Sequence, residues 1–166
     1  MDQPVDAESF RLLFVCTGNT CRSPMAEAIA RRELEALGWT NVEVRSAGIS
    51  AYGGMLASEG ALRAALRHGF DLTSHRTTSL TPDLVAWADL ILVMGASHFL
   101  RVAELGGEER TALLTAFAEG EEAEGLDGAG VPDPFGGDDE AYERAYESLD
   151  RLVGQALRRL EPILAP

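Results

Sequence analysis

A chain of 166 residues with 46% hydrophobic and 25% charged residues suits one globular domain with its own core, and excludes wholesale disorder. A formal net charge of −13, from 27 acids against 14 bases that are all arginine, repels nucleic-acid phosphates and anionic lipid, so neither is expected as a partner. Two cysteines are too few for a disulfide framework or a cysteine zinc site, and no apolar run reaches the length of a membrane span.

In chain order, residues 1–10 are polar, without a signal pattern, and are expected to be loosely ordered; the folded domain is expected over 11–164. Residues 12–15 form an apolar run without alternation, the pattern of a strand buried on both faces. Residues 24–37 predict a helix, with Pro24 in the first turn and Gly38 as its stop. A weaker strand is expected over 42–45, a second helix over 57–68, a second buried strand over 90–94, and a weak strand over 111–117. Residues 119–140 hold nine acids and no base, and read as a long loop. Tyr142, Tyr146, Leu149, Val153, Ala156 and Leu160 fall at three- and four-residue spacing and predict a long amphipathic C-terminal helix. Strands alternating with helices imply right-handed βαβ units, hence a single α/β domain whose parallel sheet is covered on both faces.

The chemistry concentrates in Cys16-Thr17-Gly18-Asn19-Thr20-Cys21-Arg22-Ser23, between the first strand and the first helix. A Cys-x5-Arg spacing is weak alone, because with so many arginines each cysteine meets one there with ~8% probability. The setting carries more. A strand end, a Gly-Asn turn and a Pro-started helix place backbone N–H groups around a positive helix end, where an anion binds. Gly18 and Asn19 tolerate the left-handed backbone such a loop needs. Arg22 can grip two phosphate oxygens at once, the same positive field favours a Cys16 thiolate, and Ser23 can donate a hydrogen bond to the sulfur. A thiolate facing a clamped phosphoryl group is an in-line nucleophile, which implies a phosphocysteine intermediate. The bland alternative is a buried structural thiol. One carboxylic acid can protonate the leaving group and then activate water. Asp133, stiffened by Pro132 and Pro134, is the candidate, with Phe135 shielding it and walling a pocket; a plain Asp-Pro turn is the alternative.

The segment 16–25, CTGNTCRSPM, resembles the signature of low-molecular-weight protein phosphatases. Ser46-Ala47-Gly48, read as a turn, the ADLILVM run at 88–94 and DPFG at 133–136 follow in that family's order, so the resemblance extends from about Arg11 to the last helix. It implies a three-layer domain with a four-stranded parallel sheet flanked by helices. It also implies Cys16 as nucleophile, Arg22 as phosphate-binding residue and Asp133 as general acid. Thr17, Gly18, Asn19, Thr20, Cys21, Ser23 and Phe135 are the expected substrate contacts. Thr20 together with DPFGG is similar to the protein-arginine phosphatase branch, since tyrosine-specific members usually carry an aliphatic residue at the first position and Tyr in place of Phe135. A hydroxyl at the pocket floor suits a polar guanidinium, and an acidic rim from residues 119–140 would suit it too. A protein-tyrosine phosphatase is the alternative. Arsenate reductase shares the fold and loop, but the thioredoxin-linked type needs cysteines downstream, and none follows Cys21. A non-catalytic anion-binding module is the non-enzyme alternative, against which Asp133 stands.

Cys21 is expected either to pack beneath the loop or to close a protective disulfide with Cys16 under peroxide. His68, His75 and His98 share no spacing, so neither a metal site nor a cofactor is expected. His75 and Arg76 are read as stabilising a loop near the site, Asp89 as structural, and Trp39, Trp87, Tyr142 and Tyr146 as packing residues. The expected protein is a cytoplasmic monomer acting on phosphorylated proteins.

Overall fold

The computed structural model of the chain describes residues 9–120 and 130–164. Four strands, β1 (Phe10–Cys16), β2 (Val42–Gly48), β3 (Leu90–Val93) and β4 (Thr111–Leu113), form one sheet in the order β2-β1-β3-β4, with every pairing parallel. Around it lie α1 (Arg22–Leu37), α2 (Glu59–Arg67), α3 (Pro82–Trp87), α4 (Ala96–Glu104), α5 (Leu114–Glu119) and α6 (Asp139–Leu164).

The period-two geometry of a strand divides β1 between two cores. Leu12, Phe14 and Cys16 face a layer built from α1, α2, α5 and α6, where Ile29, Leu114, Leu149 and Leu157 are sealed from solvent. Leu13 and Val15 face the opposite layer, against Val85 of α3 and Val102 of α4. This double burial is why β1 and β3 read as unbroken apolar runs. The predicted four-stranded parallel sheet with helices on both faces is therefore the observed architecture.

Several boundaries differ from those expected. The first strand begins at Phe10, within the segment expected to be loosely ordered; residues 1–8 lie outside the described residues. Helix α1 starts two residues before Pro24, at Arg22, and ends where the Trp39 N–H bonds back to the Leu34 carbonyl. Ser46 to Gly48 is no turn: β2 continues through it, with Cys16 opposite Gly48. The strand expected over 111–117 stops at Leu113. Leu113 and Ala116 then face one core while Leu114 and Ala118 face the other, the spacing of a helix rather than a strand. Glu119 closes that helix and Asp139 opens α6, while residues 121–129 of the expected acidic rim lie outside the described residues. All six spaced apolar positions of the C-terminal helix are buried. No helix among the described residues is long and apolar enough to cross a membrane.

Candidate active site

β1 runs up the middle of the sheet, so its carboxyl end opens between β2 and β3, where ligands bind in open α/β sheets. Cys16 is its last residue, and the loop 17–21 carries the chain into α1. The loop is tied down by its carbonyls: those of Cys16, Thr17 and Thr20 accept from the N–H groups of Ile49, Ser50 and Ser58. A loop with its carbonyls turned outward presents its N–H groups to the inside, as an anion nest requires. Of the two residues expected to use the left-handed backbone, only Asn19 does, at φ 58°. Gly48 is needed for closeness instead: a Cβ there would lie 2.5 Å from the Thr17 carbonyl oxygen and 2.8 Å from the Asn19 nitrogen. Both are backbone atoms, so a side chain at this position would displace the loop.

Asn19 is fully buried, and its side chain and carbonyl are all hydrogen-bonded. Its amide nitrogen donates to Ser23 Oγ at 2.8 Å and Ser46 Oγ at 2.9 Å. Its side-chain oxygen accepts from the Thr78 N–H at 2.8 Å, and its carbonyl meets His75 Nε2 at 2.9 Å. Ser46 passes its hydrogen to Glu27 Oε1 at 2.7 Å, and Ser23, an acceptor from Asn19, has both Cys16 Sγ at 2.9 Å and the Ala47 carbonyl at 3.5 Å within reach of its hydroxyl.

Cys16 lies at the bottom of a cleft of about 430 Å³. Arg22, also buried, donates from Nη1 to the Val131 carbonyl at 2.9 Å and stands 3.5 Å by Nη2 from Asp133 Oδ2. The other Asp133 oxygen accepts the Phe135 N–H at 3.1 Å, so the carboxylate is held from two sides. Thr20 lines the same cleft, and its hydroxyl is 3.6 Å from Cys21 Sγ. Tyr52, Met55, Leu56 and Phe135 form an exposed apolar rim. The cleft thus brings a thiol, a guanidinium and a carboxylate to one place, a set suited to moving a phosphoryl group.

Residues 11–162 match the family described as low molecular weight phosphotyrosine protein phosphatase. The chain belongs to this family. It is 36% identical over 154 residues to a protein-arginine-phosphatase of Geobacillus stearothermophilus, covering 92% of this chain and 97% of that one. It is 35% identical over 152 residues to a probable low molecular weight protein-tyrosine-phosphatase, EpsP, of Ralstonia nicotianae, covering 92% and 97%. The structure superposes with a TM-score of 0.84 and 34% identity on a mutant of the YwlE arginine phosphatase that has a phosphorylated active site serine, over 93% of this chain and 97% of that one.

Within this family frame, Cys16, Thr17, Gly18, Thr20, Cys21, Arg22, Asp133 and Phe135 all line the cleft. Asn19 and Ser23 sit behind it, as supports of the loop and of the sulfur. Phe135 stands at the rim with 68% of its surface exposed, a wall more than a shield for Asp133. Both cysteines are free and buried. Cys21 Sγ is within hydrogen-bonding reach of Ser58 Oγ at 3.2 Å and Tyr142 Oη at 3.5 Å. His75 stands where a loop-stabilising residue was expected, Asp89 Oδ2 accepts the Arg11 N–H, and Trp87 carries the Arg45 guanidinium over its ring at 4.4 Å. Among the described residues no group of His, Cys, Asp and Glu is arranged to hold a metal ion.

Several residues of the site escaped the sequence reading, among them the rim residues Tyr52, Met55 and Leu56 and two that touch the loop. Tyr142 was read as packing, and it does pack, but its hydroxyl also reaches Cys21 and Ser58 beneath the loop. Burial pushes that phenol up to about 12, so it acts as a neutral hydrogen-bonding group. His98 was set aside as an isolated histidine; its Nε2 lies 2.8 Å from Thr17 Oγ1. A long-range contact of this kind leaves no spacing signal, and only the adjacency of β1 and β3 creates it.

Proposed function

We propose that the protein is a cysteine-dependent protein phosphatase whose preferred substrate is phosphoarginine in proteins. The observation that carries the phosphatase reading is the convergence of Cys16, Arg22 and Asp133 on one cleft, with Ser23 bonded to the sulfur. The phosphorylated active site serine of the related YwlE structure supports a covalent phosphoryl intermediate at this position.

In the first step the phosphoryl oxygens sit among the loop N–H groups and against Arg22. Cys16 Sγ attacks phosphorus in line, the phosphorus–nitrogen bond breaks, and Asp133 gives its proton to the departing guanidine nitrogen. In the second step Asp133 takes a proton from water, the hydroxide attacks the phosphocysteine, and inorganic phosphate leaves with the thiolate restored. Both steps draw on groups already in the cleft. Arg22, paired with Asp133 and Val131 here, is held by two partners on the 131–133 segment, which aligns clamp and acid with each other.

The arginine assignment rests on Thr20 and is supported by the arginine phosphatases among the relatives. Its hydroxyl stands in the cleft where an aliphatic side chain would offer only apolar contact, and a guanidinium beside phosphorus needs polar neighbours. Matched phosphoarginine and phosphotyrosine peptides test it directly: faster or equal turnover of phosphotyrosine overturns the assignment. Thr20→Ile is expected to move the ratio of the two kcat/KM values toward phosphotyrosine by about tenfold or more. An unchanged ratio would mean that the hydroxyl does not select.

The two thiols support a reversible protective state. Peroxide converts the Cys16 thiolate to a sulfenic acid, Cys21 attacks that sulfur, and a disulfide forms with loss of water. For this Cys21 must leave Ser58 and Tyr142. Peroxide-treated enzyme is expected to recover activity with dithiothreitol, and a Cys21→Ser variant to lose that recovery. Equal recovery in both would dismiss the protective role.

A further inference from the structure

We propose that His98 is a positioning residue of the site: its Nε2–H donates to Thr17 Oγ1, and this turns the Thr17 hydroxyl hydrogen toward the bound phosphoryl group and steadies Arg22. This inference rests on the phosphatase reading of the cleft.

His98 lies in the first turn of α4 and is 2% exposed. Thr17 Oγ1, 2.8 Å from its Nε2, also receives a longer bond from Arg22 Nη2 at 3.5 Å. The other ring nitrogen, Nδ1, is buried and meets no hydrogen-bond partner among the described residues. That decides the tautomer. With the hydrogen on Nδ1, a buried donor would be left unpaired, the costlier kind of orphan; with it on Nε2, only a lone pair goes unfilled. Thr17 Oγ1 then accepts from both His98 and Arg22, and its own hydrogen has to go elsewhere. Thr17 is exposed and lines the cleft, so the remaining direction is toward a phosphoryl oxygen.

The same histidine stands beside the segment that carries Asp133. Just before α4, the Met94 carbonyl accepts the Val131 N–H at 2.8 Å, and a Cβ on Gly130 would come within 2.4 Å of that carbonyl oxygen. The acid-bearing segment is therefore pressed onto the β3–α4 junction, and Val131 in turn receives Arg22. His98 faces Arg22 from α1 and Asp133 from this segment, while Arg101 of its own helix is paired outward with Glu104. Burial first and the Arg22 charge second push the imidazole down to about 4, against the opposing pull of Asp133. The ring is thus neutral near neutral pH, and its role as a donor does not switch there.

The test compares wild type, His98→Leu, His98→Gln, Thr17→Val and the His98→Leu/Thr17→Val double variant, with orthovanadate inhibition and kcat/KM on a phosphopeptide as readouts. His98→Leu and Thr17→Val are each expected to weaken orthovanadate inhibition and kcat/KM by about tenfold. His98→Gln, whose amide reaches the Nε2 position, is expected to recover to within about threefold, and the double variant to be no worse than either single one. Wild-type inhibition in His98→Leu, failure of Gln to rescue, or additive losses in the double variant would each overturn the proposal, since a merely structural histidine lowers thermal stability without coupling to Thr17. Should His98→Leu not fold, unchanged orthovanadate inhibition in Thr17→Val overturns it equally. Failure of the phosphatase reading itself would look different: wild type would neither turn over substrate nor be inhibited.

Discussion

Replacing Cys16 with serine is expected to lower turnover by more than about 10⁴-fold while leaving phosphate binding in place. The loop's anion-binding parts do not depend on the sulfur: Asn19 holds the backbone, and Arg22 takes its position from Val131 and Asp133. What is lost is the sulfur nucleophile, which a serine hydroxyl, far less acidic than a thiol, cannot replace at neutral pH. If phosphoryl transfer to the introduced hydroxyl does occur, its hydrolysis is slower still, so mass spectrometry of the incubated variant should show one added phosphoryl group. Steady-state turnover near the wild-type rate would place the nucleophile elsewhere and remove the mechanism.

Asp133→Asn is expected to cost about 10²–10⁴-fold in kcat, the range for a positioned general acid and base. The loss has a signature that separates it from damage to the site. A leaving group that departs readily as an anion, such as p-nitrophenolate, needs little proton donation, so the deficit should be smaller with p-nitrophenyl phosphate than with a phosphoarginine peptide. Asparagine also removes a negative charge 3.5 Å from the Arg22 guanidinium, so inorganic phosphate should inhibit the variant at least as strongly as the wild type. Equal deficits with both substrates, or weakened phosphate inhibition, would show that Asp133 serves the site in some way other than proton transfer.

The candidate loop was legible from sequence because it is local. Cys16 to Ser23 is one loop between a buried strand and a helix, and every residue in it can be weighed by type: Asn19 for a left-handed backbone, Arg22 for a bidentate clamp, Pro24 for a first turn. The long helix α6 was legible because its apolar face repeats from Tyr142 to Leu160, about five turns. The short elements were not. Helix α3, of six residues, is too brief for its periodicity to stand out; α4, as long as α2, lacks the side-chain cap that Ser58 gives α2; and β4 passes directly into α5 without a turn residue to mark the change. The supporting partners were illegible for a different reason. Thr17 and His98 are 81 residues apart, and Cys21 and Tyr142 are 121 apart. Those pairs exist only because the strand order puts β3 beside β1 and lays α6 against α1, and a single sequence carries no mark of that adjacency.

The placement of Cys16 has a consequence for substrate choice. Cys16 is only 2% exposed in a cleft whose rim residues, Tyr52 and Phe135, project 83% and 68% of their surface into solvent. A phosphoryl group must pass between those rim residues to reach Cys16, which favours a side chain that carries it well beyond Cβ. Arginine and tyrosine hold their phosphoryl group far from the main chain; serine and threonine hold theirs one or two bonds beyond Cβ, where the rim would stop the peptide first. Phosphoserine and phosphothreonine peptides are therefore expected to be turned over far more slowly than peptides whose phosphoryl group sits on a longer side chain.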